Sequence, residues 1–497
     1  MDASSVRQPA PRSQRRVPFA TRVLFGLGSV AEGVKNIAFN VFLLFYYNHV
    51  LGVSGTWTGT AIFLALCVDA VADPLVGSLS DGWRSRLGRR HPFMYAAALP
   101  MAVCFALLFL PPDGLSERGL AAWLLVFAVG VRISMTLYML PSNAMVPELT
   151  SDYDERTELV AWRYLFGWLG AIGISLVGYL WFFASRGGVD GRLEASRYAG
   201  FGLVCAVTVA TAILASAAGT HRLIPSLARP TDGPGFSLAR FAGELRGVLA
   251  IGSYRTLIGA ALFAAVAGGF SDVVGLYVNT FFWGFTSAQI AVLVYGLIPG
   301  VILSFLVARP LSERFDKKRA SLGLAGFAIF FGPLPIFLRL LGWMPENGDR
   351  LLLPLILCHG VVAVACVVSI GITVSSMLAD VADEGELSTG KRQEGMFNAT
   401  ISLAMKSTSG LGGLFAGITL DLIDFPRGAE PGTIAPEKVE ALGMAVGPGL
   451  LALFLVTLVF LSRYPITRAR HREILDALDR QRREGAGSDA TRGGEPR

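Results

Sequence analysis

Charge is scarce in this chain. Of its 497 residues only 16% are Asp, Glu, Lys or Arg, while 53% are hydrophobic. A water-soluble protein of this length carries far more charge, so the composition excludes an ordinary soluble enzyme. Cysteine and histidine are scarce as well, at five each. Cys67, Cys104, Cys205, Cys358 and Cys366 all fall in apolar segments, and no CxxC or Cys/His cluster occurs. Neither a disulfide framework nor a zinc site is therefore expected. A phosphate-cradling glycine loop and a nucleophile elbow are also missing, which removes the usual ATPase and hydrolase signatures. The chain reads as a non-enzyme without a cofactor. Up to Arg16 the N-terminus has no apolar core, so a cleaved signal peptide is not expected.

Apolar runs of roughly 20 to 28 residues take the place of those motifs, separated by short polar loops. About twelve such runs are present, which predicts an all-α polytopic membrane protein whose partner is the lipid bilayer. The net charge of +6 is unevenly spread. Most of the Lys and Arg lie in the tails and in the loops following even-numbered spans. That is the positive-inside pattern; it predicts a multi-pass protein of the cell membrane with both termini cytoplasmic, and it argues against a nucleic-acid partner. The segment "HRLIPSLARPTDGPGFSLARFAGELRG" is basic and rich in Pro and Gly, as linkers are. The expected organisation is a tail (1–21), a six-helix half (22–219), a linker (220–254), a second six-helix half (255–463) and a charged cytoplasmic tail (464–497). A monomer is the expected assembly.

The halves resemble each other. "MVPELTSDYDERT" from Met145 matches "MLADVADEGELST" from Met377 at an offset of 232 residues, and Leu79-Ser80-Asp81 falls on Leu311-Ser312-Glu313 at the same offset. Two matches in one register indicate a parallel duplication, a transporter plan with the substrate between the halves. At this offset Asp69 falls on Val301 and Asp73 on Phe305. The fold therefore does not itself require these two acids.

Asp69, Asp73, Gly77 and Asp81 recur every four residues on one helix face. A charge at mid-membrane costs about 2.5 to 3.5 kcal/mol on insertion scales. Two carboxylates one turn apart also repel. A cation, a proton or a basic partner must lie between them. Pro74 cannot donate to the Ala70 carbonyl, which adds a further oxygen nearby. Candidate basic partners are Lys406, Arg163 and Arg132. Glu32 and Lys35 share a face of the first span with Asn36 and Asn40. Asn143 stands in the fourth span, and Asp272 and Asn279 in the seventh. Such intramembrane groups face a bundle interior or a wet cavity. The loop "DGWRSRLGRR" either orients the protein by its charge or acts as a latch. The latch set is Asp81, Arg84, Arg89, Arg90 and Glu148, with Asp380 and Arg392 in the second half.

"DAVADPLVGSLSDGWRSRLGRRHPF", "VPELTSDYDERTELVAWRYLF" and "SMLADVADEGELSTGKRQEGMFNATISLAMKSTSG" together resemble the glycoside–pentoside–hexuronide:cation symporters, the melibiose-permease branch of the major facilitator superfamily. The resemblance implies a major facilitator fold and cation-coupled symport of a sugar or glycoside by alternating access. It implies cation ligation at Asp69 and Asp73, assisted by Thr136, with Lys406 and Arg163 serving substrate or charge balance. The sequence departs from the family twice. Sugar-transporting members carry an acid where this chain has Met139, and another near Gly33. Glu32 is adjacent, but neighbouring helical residues point about 100° apart. The coupling ion is thus H⁺ or Na⁺. An amphipathic lysolipid is the alternative substrate, and a non-transporting receptor or scaffold the alternative class.

Overall fold

The computed structural model describes residues 16–227, 243, 246–389 and 394–492. Eleven helices among them are long and apolar enough to cross a bilayer. They are α1 (Phe19–Val50), α2 (Gly55–Gly82), α3 (His91–Leu108), α4 (Glu117–Leu149), α5 (Asp154–Phe182), α6 (Ala195–His221), α7 (Gly252–Phe282), α8 (Ser287–Ala308), α9 (Lys317–Leu340), α10 (Leu352–Ser388) and α12 (Pro436–Ser462). Between the last two runs α11 (Glu394–Leu422), also of spanning length. At 1.5 Å per residue the 28 residues of α2 extend roughly 42 Å, enough to cross the hydrocarbon and both interfaces. Local chemistry sets the starts. Ser54, Ser116 and Asp152 each accept a hydrogen bond from a backbone N–H of the first turn, and Thr286 makes a reciprocal capping box with Gln289.

The 232-residue repeat reaches well beyond the two matched sequence blocks. Ser54 and Thr286, the caps of α2 and α8, are 232 apart. The π-helical end of α1 (Phe45–Val50) has its counterpart in that of α7 (Val278–Phe282). The halves meet where α2 packs along α11 and where α1 meets α7. The glycines of the first pair permit the approach. A Cβ on Gly55 would lie 2.4 Å from the Gly417 carbonyl oxygen, and one on Gly417 would lie 2.0 Å from that of Gly55.

The face away from the termini is sealed. Asp421 of α11 sits on the N-terminus of α2, accepting from Gly55 N at 3.0 Å, Thr56 N at 2.8 Å and Ser54 Oγ at 2.5 Å. An anion belongs at that positive helix end. Gly428 N donates to the His49 carbonyl at 2.9 Å, and Tyr277 Oη donates to Asn48 Oδ1 at 2.7 Å. Arg192 donates to Thr280 Oγ1 at 2.7 Å and to the Phe285 carbonyl at 2.9 Å. Phe45, Tyr277, Phe281 and Phe425 form an aromatic plug beside these bonds.

Charged devices occupy the terminal face. Glu148 accepts from Arg89 Nη2 at 2.6 Å and from Arg90 Nη2 at 3.1 Å, and Arg90 also pairs with Asp81 at 2.6 Å. At the equivalent position of the second half, Asp380 accepts from Lys317 Nζ at 2.7 Å. Among the latch residues of the first half Asp81, Arg89, Arg90 and Glu148 converge, and Arg84 is exposed. Arg392 lies outside the described residues. The charged tail forms α13 (Arg468–Arg492). It is not simply solvated. Ile474 and Leu478 are buried against the end of α10, and His471 Nε2 lies 3.1 Å from Asp383 Oδ2.

Candidate functional site: a charged layer at mid-bundle

Asp69 lies midway along α2, and Asp73 one turn closer to the terminal face. The helix continues through Pro74, so the face bearing both acids stays continuous. Thr136 of α4 reaches across to them. Its Oγ1 is 2.7 Å from Asp69 Oδ1 and 2.9 Å from Asp73 Oδ1. On the other side, Lys406 Nζ of α11 lies 2.9 Å from Oδ2 of each acid. The ammonium thus occupies the space between the carboxylates, where like charges otherwise repel. It also ties one half of the molecule to the other at mid-bundle.

The two acids differ in their surroundings. The Asp69 side chain is 4% exposed and has Arg132 Nη1 at 3.6 Å. Asp73 is 21% exposed and has only Lys406 as a cationic partner among the described residues. Arg132 stacks its guanidinium over Phe39 at 5.0 Å, which holds it in place on an apolar wall.

The other residues singled out from sequence divide into two groups. Arg163 is buried, donates to Ser142 Oγ at 2.7 Å and lies over the Phe25 ring at 5.2 Å. Its other nitrogen is 3.7 Å from the sulfur of Met139. The residue at the position of the family's acid therefore touches Arg163. Lys35 is buried, and it forms no ion pair with Glu32 within 4.0 Å. Asn36 and Asn143 are exposed side chains of α1 and α4 and do not join the Asp69–Asp73–Lys406 cluster. Gly33 explains the second departure. Its Cβ would fall 2.1 Å from the Gly167 carbonyl oxygen, so α1 and α5 pack too closely for any side chain there.

Two residues that the sequence named only as candidates take definite places. Arg132 belongs directly to the acid pair. Asp272 of α7 is exposed within the bundle, and the stretch of α1 that carries Asn40, also exposed, packs against α7. The signal for that pairing was in the sequence, because Asn40 and Asp272 are separated by the same 232 residues that relate the halves.

Comparison with known proteins gives the family. The family model described as MFS/sugar transport protein matches residues 24–468. A symporter of Synechocystis is 28% identical over 94% of this chain and 97% of its own length. The isoprimeverose transporter of Lactiplantibacillus pentosus is 24% identical over 84% of each chain. The nucleoside transporter NupG shares the fold, with a TM-score of 0.60 over 89% of this chain and 98% of its own at 12% identity. A bundle of membrane-spanning helices in two repeated halves, matched along nearly its whole length by that family model, is a transporter of small solutes and not an enzyme; the chain belongs to the MFS/sugar transport family, in its glycoside–pentoside–hexuronide:cation symporter group.

Proposed function

We propose that this protein carries a sugar or glycoside across the cell membrane in symport with a cation, by alternating access. The observation that carries the proposal is the Lys406 ammonium held 2.9 Å from both Asp69 and Asp73. Those acids sit in one half and the lysine in the other. Any cation that takes the lysine's place loosens the tie between the halves, so ion occupancy and helix movement are one event.

The coupling ion is a proton in this reading. A hydroxyl has a single proton to donate, yet Thr136 Oγ1 lies within hydrogen-bond reach of both Oδ1 atoms. With both carboxyls ionised, one of them faces the hydroxyl lone pair. A proton on Asp73 resolves the conflict, because Thr136 then accepts from Asp73 and donates to Asp69. Protonated Asp73 no longer holds Lys406 by charge. The acid missing at Met139 removes an anionic ligand that Na⁺ needs more than a proton does.

In this reading the termini are cytoplasmic, as the positive-inside pattern predicts, and the sealed face is the outer one. In the sealed state the ionised pair is held by Lys406 with the conflict at Thr136 unrelieved, as expected once proton and solute have left and Asp73 is ready for the next proton. Entry of the next proton and solute needs the outer seal broken and the terminal face closed, the task assigned to the Arg89–Arg90–Glu148 and Lys317–Asp380 latches. The carrier acts as a monomer and needs no cofactor beyond the coupling ion.

Proteoliposome flux tests this directly. The purified protein is reconstituted and isoprimeverose uptake is followed under an imposed proton gradient or an imposed Na⁺ gradient. Accumulation driven by the proton gradient alone is the expected outcome. Accumulation driven only by Na⁺ replaces the proton. Uptake indifferent to both gradients removes the coupling reading altogether.

A further inference from the structure

We infer that Asp272 and Asn40 form a clamp for the hydroxyl groups of the solute, and that it selects an uncharged polyhydroxylated ring over an anionic one. The inference rests on the sugar-carrier reading above. Asp272 lies 20 residues into α7 from Gly252, roughly 30 Å along the helix, and 10 residues short of Phe282. At that depth a carboxylate is expensive unless it is paired or solvated. Among the described residues no Lys, Arg or His lies within 4.0 Å of it. It is nevertheless exposed, and so is Asn40 opposite. The pair therefore borders aqueous space inside the bundle.

Two independent features describe that space. Gly268 and Gly275 lie one turn to either side of Asp272 on the same helix face, and a Cβ on either would meet nothing within 4 Å. On α1, Asn40 falls in the π-helical stretch Ala38–Leu43, where the widened turn re-aims side chains. Asn36 and Asn40 are both exposed on this helix. The aromatic plug of Phe45 and Tyr277 closes the space toward the sealed face.

The chemistry follows from what these groups offer. An ionised carboxylate only accepts hydrogen bonds, through two oxygens, whereas an amide both donates and accepts. Adjacent hydroxyls of a sugar ring present two donors that one carboxylate engages together, and a neighbouring hydroxyl oxygen accepts from the amide. Hydrogen bonds to a charged acceptor are the strong ones. A carboxylate or phosphate on the ligand meets repulsion at Asp272, so a uronide or a lysolipid headgroup is disfavoured there. Lys406 sits on the Asp69–Asp73 pair, leaving Asp272 free for the solute.

Calorimetric titration of the purified full chain with isoprimeverose and with methyl β-D-glucuronide tests the clamp, using wild type, Asp272→Asn and Asn40→Ala. Wild type is expected to bind isoprimeverose and to disfavour the glucuronide. Asp272→Asn is expected to weaken isoprimeverose by on the order of tenfold and to narrow the gap between the two ligands. Asn40→Ala keeps the carboxylate and is expected to weaken isoprimeverose without narrowing that gap, which guards against an Asp272 variant that fails to fold. Unchanged isoprimeverose affinity in both variants overturns the clamp while leaving the carrier reading intact. Asp272→Asn that binds normally but loses proton uptake makes the carboxylate a proton carrier and likewise overturns it. If wild type binds neither ligand, the sugar reading fails and takes the clamp with it.

Discussion

Lys406 is the residue on which the central layer depends. Its ammonium separates two carboxylates that share one helix face, at 2.9 Å from each. Lys406→Ala leaves Asp69 and Asp73 facing each other across Thr136, with Arg132 near only one of them. Thermal unfolding of that variant is expected several degrees below wild type at neutral pH. Lowering the pH is expected to narrow the gap, since a proton on either acid removes the repulsion; the measurement is Tm against pH for both proteins. A deficit that widens in acid contradicts the assignment. The acid pair was legible in the sequence because charge is conspicuous in an apolar run. The roles of Met139 and Gly33 were not. Only the packing reveals that Met139 lies on Arg163 and that Gly33 has the Gly167 carbonyl where a side chain would go.

Among the elements, the crossing of α2 and α11 controls the sealed face. The backbones of Gly55 and Gly417 touch there with no room for a methyl group. Gly417→Ala is expected to hold the outer ends apart and favour the state open on that side. A membrane-impermeant thiol reagent added from outside should then label a cysteine at Asn48 faster than in the unsubstituted background; equal labelling rates in the two backgrounds count against the seal. At the other face, Glu148→Gln removes the anion shared by Arg89 and Arg90. It is expected to slow flux by severalfold while leaving solute affinity nearly unchanged, read from initial rates beside titrations. An equal loss of affinity would place Glu148 in binding. Helix starts were readable from Ser, Thr and Asp caps. The docking of α13 was not, because Ile474, Leu475 and Leu478 are the only large apolar residues in a strongly charged segment, and Leu475 among them is exposed, so the three do not announce a buried face.

For the molecule as a whole, sparse charge and long apolar runs were enough to give the class of fold, and the offset of 232 residues gave the repeat. That offset also relates the caps Ser54 and Thr286, the latch acids Glu148 and Asp380, and the facing pair Asn40 and Asp272. The acids Asp69 and Asp73 break the repeat, so the shared fold does not itself require them. What no single sequence carries is which groups meet across the two halves. Lys406 is 333 residues from Asp73, and nothing local to either residue indicates the other. The account stands or falls on that contact as the point where ion and helix movement are coupled. The most direct measurement compares accumulation with exchange in proteoliposomes bearing Asp73→Asn. A neutral side chain there mimics permanent occupancy by a proton. Accumulation of solute under a proton gradient should be lost while exchange of internal for external solute persists. Accumulation at the wild-type rate would contradict the account.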